Sequence, residues 1–139
     1  MQNFILASGS MDDKIQVWNM KTNAKLFEVA HDYDVHCVKI VDNRLVSCGD
    51  QTIRFWKLKN GNLLRTLYLP SWCNNFDLNS DSTLLAISHQ KGVSIYDFQN
   101  LMKIMEIELN QVMDVRFNES GTKLIVGQYD GKVFKIDLY

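Results

Sequence analysis

Proline occurs once in this 139-residue chain, at Pro70, and cysteine three times without a C-x-x-C spacing. With no Ser/Gly-rich linker or low-complexity tract, nothing marks a composition break, and one domain over residues 1–139 is expected. Cys37, Cys48 and Cys73 are an odd set within or beside apolar strand patterns. They read as buried reduced thiols rather than a disulfide framework. His31, His36 and Cys37 invite a metal site, but zinc needs four ligands at suitable spacing, and His31 has a better explanation below. No cofactor and no metal is expected.

Charge of one sign is also missing: 15 Lys+Arg face 16 Asp+Glu, for a net charge of -1. Without a basic excess there is no electrostatic footprint for nucleic acid, and no block of like charges marks a membrane surface. Apolar stretches such as Phe4 to Ala7 are far shorter than the roughly 18 residues of a spanning helix, and no basic segment precedes them as in a secretion signal. Neither G-x-x-x-x-G-K nor G-x-G-x-x-G occurs, so a phosphate-binding loop is not expected. These absences favour a soluble protein of the cytoplasm or nucleus.

What the chain has is repetition. Lys14-Ile15-Gln16-Val17-Trp18, Thr52-Ile53-Arg54-Phe55-Trp56, Gly92-Val93-Ser94-Ile95-Tyr96 and Lys132-Val133-Phe134-Lys135-Ile136 share one pattern. Their last residues lie 38, 40 and 40 positions apart. A period of that size signals stacked copies of one supersecondary unit, each burying its apolar face only against its neighbours.

Alternating apolar and polar side chains argue for half-buried strands. One equivalent strand falls at Phe4–Ser8, Arg44–Ser47, Leu84–Ser88 and Leu124–Gln128, and each leads by a short turn into the shared run. Gly49-Asp50, Lys91-Gly92 and Asp130-Gly131 supply residues that tolerate positive φ in those turns. A third strand follows at Ala24–Val29, Leu63–Leu69 and Met102–Leu109, with Asn60-Gly61 as the strongest hairpin signal. A further strand precedes each new copy at His36–Val41, Cys73–Leu78 and Met113–Phe117. Four antiparallel strands every 40 residues or so describe propeller blades better than a sandwich. Phe55, Tyr96, Phe98, Phe117 and Phe134 are expected to pack between them.

These residues resemble the WD40 repeat family along essentially the whole chain. Leu6-Ala7-Ser8-Gly9-Ser10 followed by Ile15-Gln16-Val17-Trp18-Asn19 is similar to the family's strand, turn and closing Trp-Asp pair, with Asn19 for Asp. In the second copy His31 lies where the Gly-His dipeptide falls, Ala30 replaces the Gly, and Lys57 follows Trp56. Tyr96-Asp97 and Ile136-Asp137 keep the acid and change the indole. The implied fold is all-β: an open or incomplete WD40-like propeller arc of antiparallel four-stranded blades, near residues 1–30, 31–69, 70–109 and 110–139. The expected strand counts are three, four, four and three.

The resemblance also implies a structural set of His, Ser or Thr, Asp and Trp that holds each blade. The second copy has all four as His31, Ser47, Asp50 and Trp56, which should make it the stiffest. The first keeps Ser8, Asp12 and Trp18, the third keeps Ser88, and the last keeps Asp130. A nucleophilic triad of His31, Ser47 and Asp50 is the rival reading. Such a serine sits exposed on a strained turn beside oxyanion donors, and Ser47 ends a strand within Leu45-Val46-Ser47-Cys48-Gly49. Asp12-Asp13 likewise reads as a turn plus a blade bond, since no second carboxylate matches it. No enzymatic activity is expected.

In the resembled family, partners bind where blades expose the start of the innermost strand and the turn between its two successors. The matching positions are Met11, Asp34, His36, Trp72, Asn74, His89, Gln111, Met113 and Tyr129, with Trp72 and Tyr129 as anchors. The expected function is a non-catalytic scaffold presenting blade loops to protein or peptide partners. The alternative is an architectural segment of a larger propeller or multidomain protein with no binding activity of its own. The incomplete outer copies further suggest a fragment, or completion by further WD40 repeats of the same or another chain.

Overall fold

A computed structural model describes residues 4–138. The outermost positions of the first and last expected copies, residues 1–3 and 139, lie outside the described residues. Among the described residues, fourteen strands form antiparallel sheets of three, four, four and three strands. The first sheet contains β1 (Ile5–Gly9), β2 (Lys14–Asn19) and β3 (Ala24–Ala30). The second holds β4 (Val35–Val41), β5 (Arg44–Gly49), β6 (Thr52–Lys57) and β7 (Leu63–Tyr68). The third runs β8 (Cys73–Leu78), β9 (Leu84–His89), β10 (Gly92–Asp97) and β11 (Lys103–Glu108), and the fourth β12 (Val112–Phe117), β13 (Lys123–Gln128) and β14 (Val133–Asp137). Strands are neighbours in chain order, so every link is a short antiparallel connection.

Burial follows strand position. β5, β9 and β10 are covered on both faces, which is why Leu45-Val46-Ser47-Cys48 and Leu85-Ala86-Ile87-Ser88 read as continuous small and apolar runs. The outer strands β3, β7 and β11 alternate or face solvent. Phe55 and Phe98 are core residues and Tyr96 is buried, but Phe134 on β14 is 39% exposed. The expected packing role of Phe134 is therefore corrected: β14 is an outer strand of its sheet and lies in the open.

The repeat is legible even in the irregularities. Register slips between Val17/Trp18, Phe55/Trp56 and Ile95/Tyr96, where the shared run meets the next strand. It slips again between Val35/Cys37, Cys73/Asn75 and Val112/Asp114, near the start of each innermost strand. Each of these latter slips leaves one extra residue, His36, Asn74 or Met113, without a register partner, and such a bulge re-aims the side chain it carries. Turns also correspond. Gly61 has φ 79° and Leu101, at the equivalent place, has φ 58°; their N–H groups donate to Lys57 O and Asp97 O, both at 2.8 Å. An aliphatic residue in that region is a genuine outlier, held here by burial of the Leu101 side chain.

The chain divides between Tyr68 and Leu69 into two compact units. In the first, β1 lies against β4, and Ile15, Val17, Val35, Leu45 and Trp56 form the core. In the second, β12 lies against β8 and β9, around Ala86, Val93, Ile95, Val112, Val115, Leu124 and Val126. Two glycines mark close backbone approaches. A Cβ at Gly49 would overlap Asp34 O, and one at Gly92, whose φ is 146°, would overlap Ile107 O.

Candidate functional site

The first unit brings His31, Ser47, Asp50 and Trp56 together. Trp56 Nε1 donates to Ser47 Oγ at 2.8 Å, and Ser47 Oγ lies 2.7 Å from His31 Nε2. His31 Nδ1 lies 3.2 Å from Asp50 Oδ2. The indole has only a donor, so the serine accepts it and passes its own proton toward Nε2. His31 is therefore neutral with its proton on Nδ1, directed at Asp50. Burial holds its pKa below the ordinary imidazole value. The Asp50 carboxylate pulls the other way and the Arg54 guanidinium adds to the depression.

Two members of this network have no signal in the expected set. Thr52 Oγ1 donates to Asp50 Oδ1 at 2.5 Å. Arg54 donates to Thr52 Oγ1 at 3.2 Å, Ala30 O at 3.1 Å and Asp32 Oδ2 at 3.2 Å. The Asp32 N–H reaches Asp50 Oδ2 at 3.1 Å. Asp50 itself sits at φ 42°, a region aspartate tolerates better than most residues. The loop after β3 is thus tied to the turn after β5 by side chains from both.

The connectivity is that of a catalytic triad, but the setting is not. Ser47 is 0% exposed and its oxygen already accepts the indole proton. No carbonyl carbon can approach it, and the set serves to satisfy buried polar groups.

The other expected members do not assemble this way. Asp12 is exposed and its carboxylate accepts the Lys14 N–H at 3.2 Å; hydrogen bonds from Ser10 and the Lys14 backbone hold its pKa below the usual carboxylate value. Ser8 is exposed and Trp18 half-buried. Asp130 accepts the Lys132 N–H at 3.0 Å. Asp12 and Asp130 therefore cap their own turns instead of bracing a blade. The physical reason is plain: no histidine occurs in residues 1–30 or 110–139 to bridge acid and hydroxyl.

His89 corrects the sequence reading most sharply. Expected on an exposed face, it is 0% exposed. Its Nε2 lies 2.9 Å from Ser94 Oγ and 3.3 Å from Glu106 Oε1. Nδ1 lies 3.0 Å from Ser71 Oγ and accepts the Lys91 N–H at 3.2 Å. Ser94 donates in turn to Glu106. Since the backbone N–H can only donate, Nδ1 is the acceptor and Nε2 carries the proton. Burial pushes this pKa down too, against the pull of Glu106. Ser88 stands outside the network and donates to Asn75 O at 3.1 Å. The third sheet thus holds a buried imidazole by other residues, its histidine on a strand end rather than in the preceding loop.

The remaining expected partner positions fall into two groups, one in each unit. In the first, the Val35 N–H donates to Ser10 O at 3.0 Å, which sets the turn bearing Met11 beside Asp34 and His36. Met11 is 81% exposed. In the second, a run of backbone bonds links successive turns: Gln90 N–H to Trp72 O at 3.2 Å, Gln111 N–H to Gln90 O at 2.7 Å, and Tyr129 N–H to Gln111 O at 2.9 Å. Asn74 Nδ2 donates to Val112 O at 2.7 Å. Asn74, Gln90, Gln111, Met113 and Tyr129 line one cavity of about 380 Å³. Gln90 was not expected there; it occupies the turn position that the sequence reading gave to His89.

The family described as "WD domain, G-beta repeat" (WD40) matches residues 24–57. Those residues span β3 to β6 and include His31, Ser47, Asp50 and Trp56. The chain belongs to the WD40 repeat family. It is 27% identical over 137 residues to the WD repeat-containing protein 55 homolog of Dictyostelium discoideum, covering 94% of this chain and 33% of that protein. It is 31% identical over 137 residues to the poly(A)+ RNA export protein of Schizosaccharomyces pombe, covering 91% of this chain and 39% of that protein. The WD40 chain thus spans only about a third of the length of these curated relatives. Among solved structures, the computationally designed Ika4 protein superposes with a TM-score of 0.85 at 21% identity, covering 100% of this chain and 88% of that one. That likeness concerns the fold: WD40-like propeller blades. Among the described residues, no group of His, Cys, Asp and Glu could hold a metal ion. No helix among them is long and apolar enough to cross a membrane.

Proposed function

We propose that this chain is a non-catalytic interaction scaffold whose blade turns present a recognition face to protein or peptide partners. The observation that carries this reading is the cavity formed by Asn74, Gln90, Gln111, Met113 and Tyr129. Its walls offer carboxamides, a thioether and a phenol and no charged side chain, a set suited to the amides and apolar side chains of an extended peptide. Tyr129 is 73% exposed and Met113 45% exposed, so both are available to a partner. Trp72, at 39% exposure, is the second aromatic on this face. In the same unit the buried His89 network ties Ser71 to the turn at Lys91, which lowers the ordering cost of binding at the adjoining turn.

Neutral balance and carboxamide chemistry argue for a protein partner over nucleic acid, although one relative is named for RNA export. Selection from a random dodecapeptide library on the immobilised chain tests the reading. Peptides should be enriched that lose about tenfold or more in affinity with Tyr129→Ala, the cost of a hot-spot side chain. Enrichment of none, or binding indifferent to Tyr129 and Met113, would favour a purely architectural role. Tighter capture of single-stranded RNA than of any peptide would overturn the partner class.

A further inference from the structure

Cys37 on β4 and Cys48 on β5 are register partners in neighbouring antiparallel strands, and both are thiols in the structure. We propose that this pair is a peroxide-sensitive dithiol that closes to a disulfide within the second sheet. Directly opposed residues on antiparallel strands have Cα atoms about 4.5 or 5.5 Å apart, and a disulfide accepts Cα separations of about 4.4 to 6.8 Å. Their Cβ atoms, ordinarily about 4.5–5.5 Å apart, must draw together slightly. The bulge between Val35 and Cys37 gives β4 the slack for this, because the ladder is already interrupted at His36.

Exposure divides the roles. Cys37 is half-buried and Cys48 is 0% exposed, so Cys37 meets the oxidant and Cys48 resolves the product. The Cys37 thiol gives up its proton and the thiolate attacks hydrogen peroxide; an S–O bond forms, the O–O bond breaks, and hydroxide leaves and takes up that proton as the first water, leaving the sulfenic acid. The Cys48 thiolate then attacks that sulfur, the S–S bond forms, the S–O bond breaks, and hydroxide leaves to take up a proton as the second water. Two thiols have lost two protons and two electrons to one peroxide. A thiol reductant of lower potential than the pair would reverse the change. Closure would pin the bulge that carries His36, and it would add a covalent tie beside Ser47, the hub of the buried histidine network.

The test is peroxide treatment of the 139-residue chain at neutral pH, followed by alkylation and non-reducing tryptic mapping. Cleavage after Lys39 and Arg44 separates the two cysteines, so the expected product is a linked pair of peptides, residues 26–39 and 45–54. It should be lost on reduction, persist in Cys73→Ser and vanish in Cys37→Ser. Should Cys37→Ser misfold, the linked peptide from the unaltered chain still decides the matter. A link from Cys73 to either residue, or Cys37 proceeding to sulfinic acid with Cys48 still alkylatable, would overturn the proposal.

Discussion

Trp56 and Ser47 are diagonal neighbours across β6 and β5: Ser47 pairs directly with Arg54 and Trp56 with Leu45, yet the indole Nε1–H donates to Ser47 Oγ at 2.8 Å. That one bond fixes the direction of the rest. The serine, having accepted, donates to His31 Nε2, and the ring proton is left on Nδ1 to face Asp50. The polar core of the second sheet is thereby satisfied, and its loop is anchored by side-chain hydrogen bonds.

Removing the hub should show this directly. Ser47→Ala strands the Trp56 N–H and the His31 Nε2 together, and a buried unpaired group costs about 1–3 kcal/mol. We expect a loss of about 2–3 kcal/mol in urea unfolding. Ser88→Ala, which removes one bond to a backbone carbonyl, should cost about 1 kcal/mol. Equal losses at the two serines would remove the distinction between them.

Acid should destabilise the fold through both buried histidines. Their native pKa values lie below the ordinary value, which is about 6.5, so the unfolded chain binds protons that the native chain refuses. The stability is fully present above about pH 6.5 and is lost as pH falls through the lowered native values. Thermal midpoints should therefore decline steadily from about pH 7 to pH 5. The decline should be shallower in His31→Gln and in His89→Gln than in the unaltered chain. An unchanged midpoint over that range would contradict the account.

Backbone crowding predicts two severe substitutions. Gly49→Ala would drive a methyl group into Asp34 O and Gly92→Ala into Ile107 O, and each should lower stability by more than about 1 kcal/mol. At Gly131, which also has positive φ but no atom within 4 Å of the added carbon, alanine should cost only the about 1–2 kcal/mol of that backbone region, less than at Gly92, where crowding adds to it. Denaturant midpoints of the three variants give the ranking.

Side chains on the proposed face should behave oppositely. Met113→Ala and Tyr129→Ala should stay within about 0.5 kcal/mol of the parent, as expected for exposed positions outside a network. Their effect should appear in peptide affinity alone. A large loss of stability in either would make the face structural.

The strands were legible because period-two alternation and turn glycines both pointed to them, and their ends moved by only a residue or so. The His31 set was legible only through the family pattern, since nothing in its spacing demands that four residues from a loop, two strands and a turn converge. His89 was not legible. The available signal was Ser94, a hydroxyl set between Val93 and Ile95 where Arg54 stands in the second copy, but the other partners of His89, Ser71 and Glu106, lie 18 and 17 residues from it in sequence. Bulges at His36, Asn74 and Met113 left no trace in composition, because an extra residue disturbs alternation no more than a polar substitution does.

Long-range ¹H–¹⁵N NMR of the imidazoles tests the central claim most directly, that two successive sheets each brace a neutral buried histidine in a different way. The account predicts opposite tautomers near neutral pH: the proton on Nδ1 in His31 and on Nε2 in His89. The same tautomer in both rings, or a His31 ring that titrates like a solvated imidazole, would contradict it.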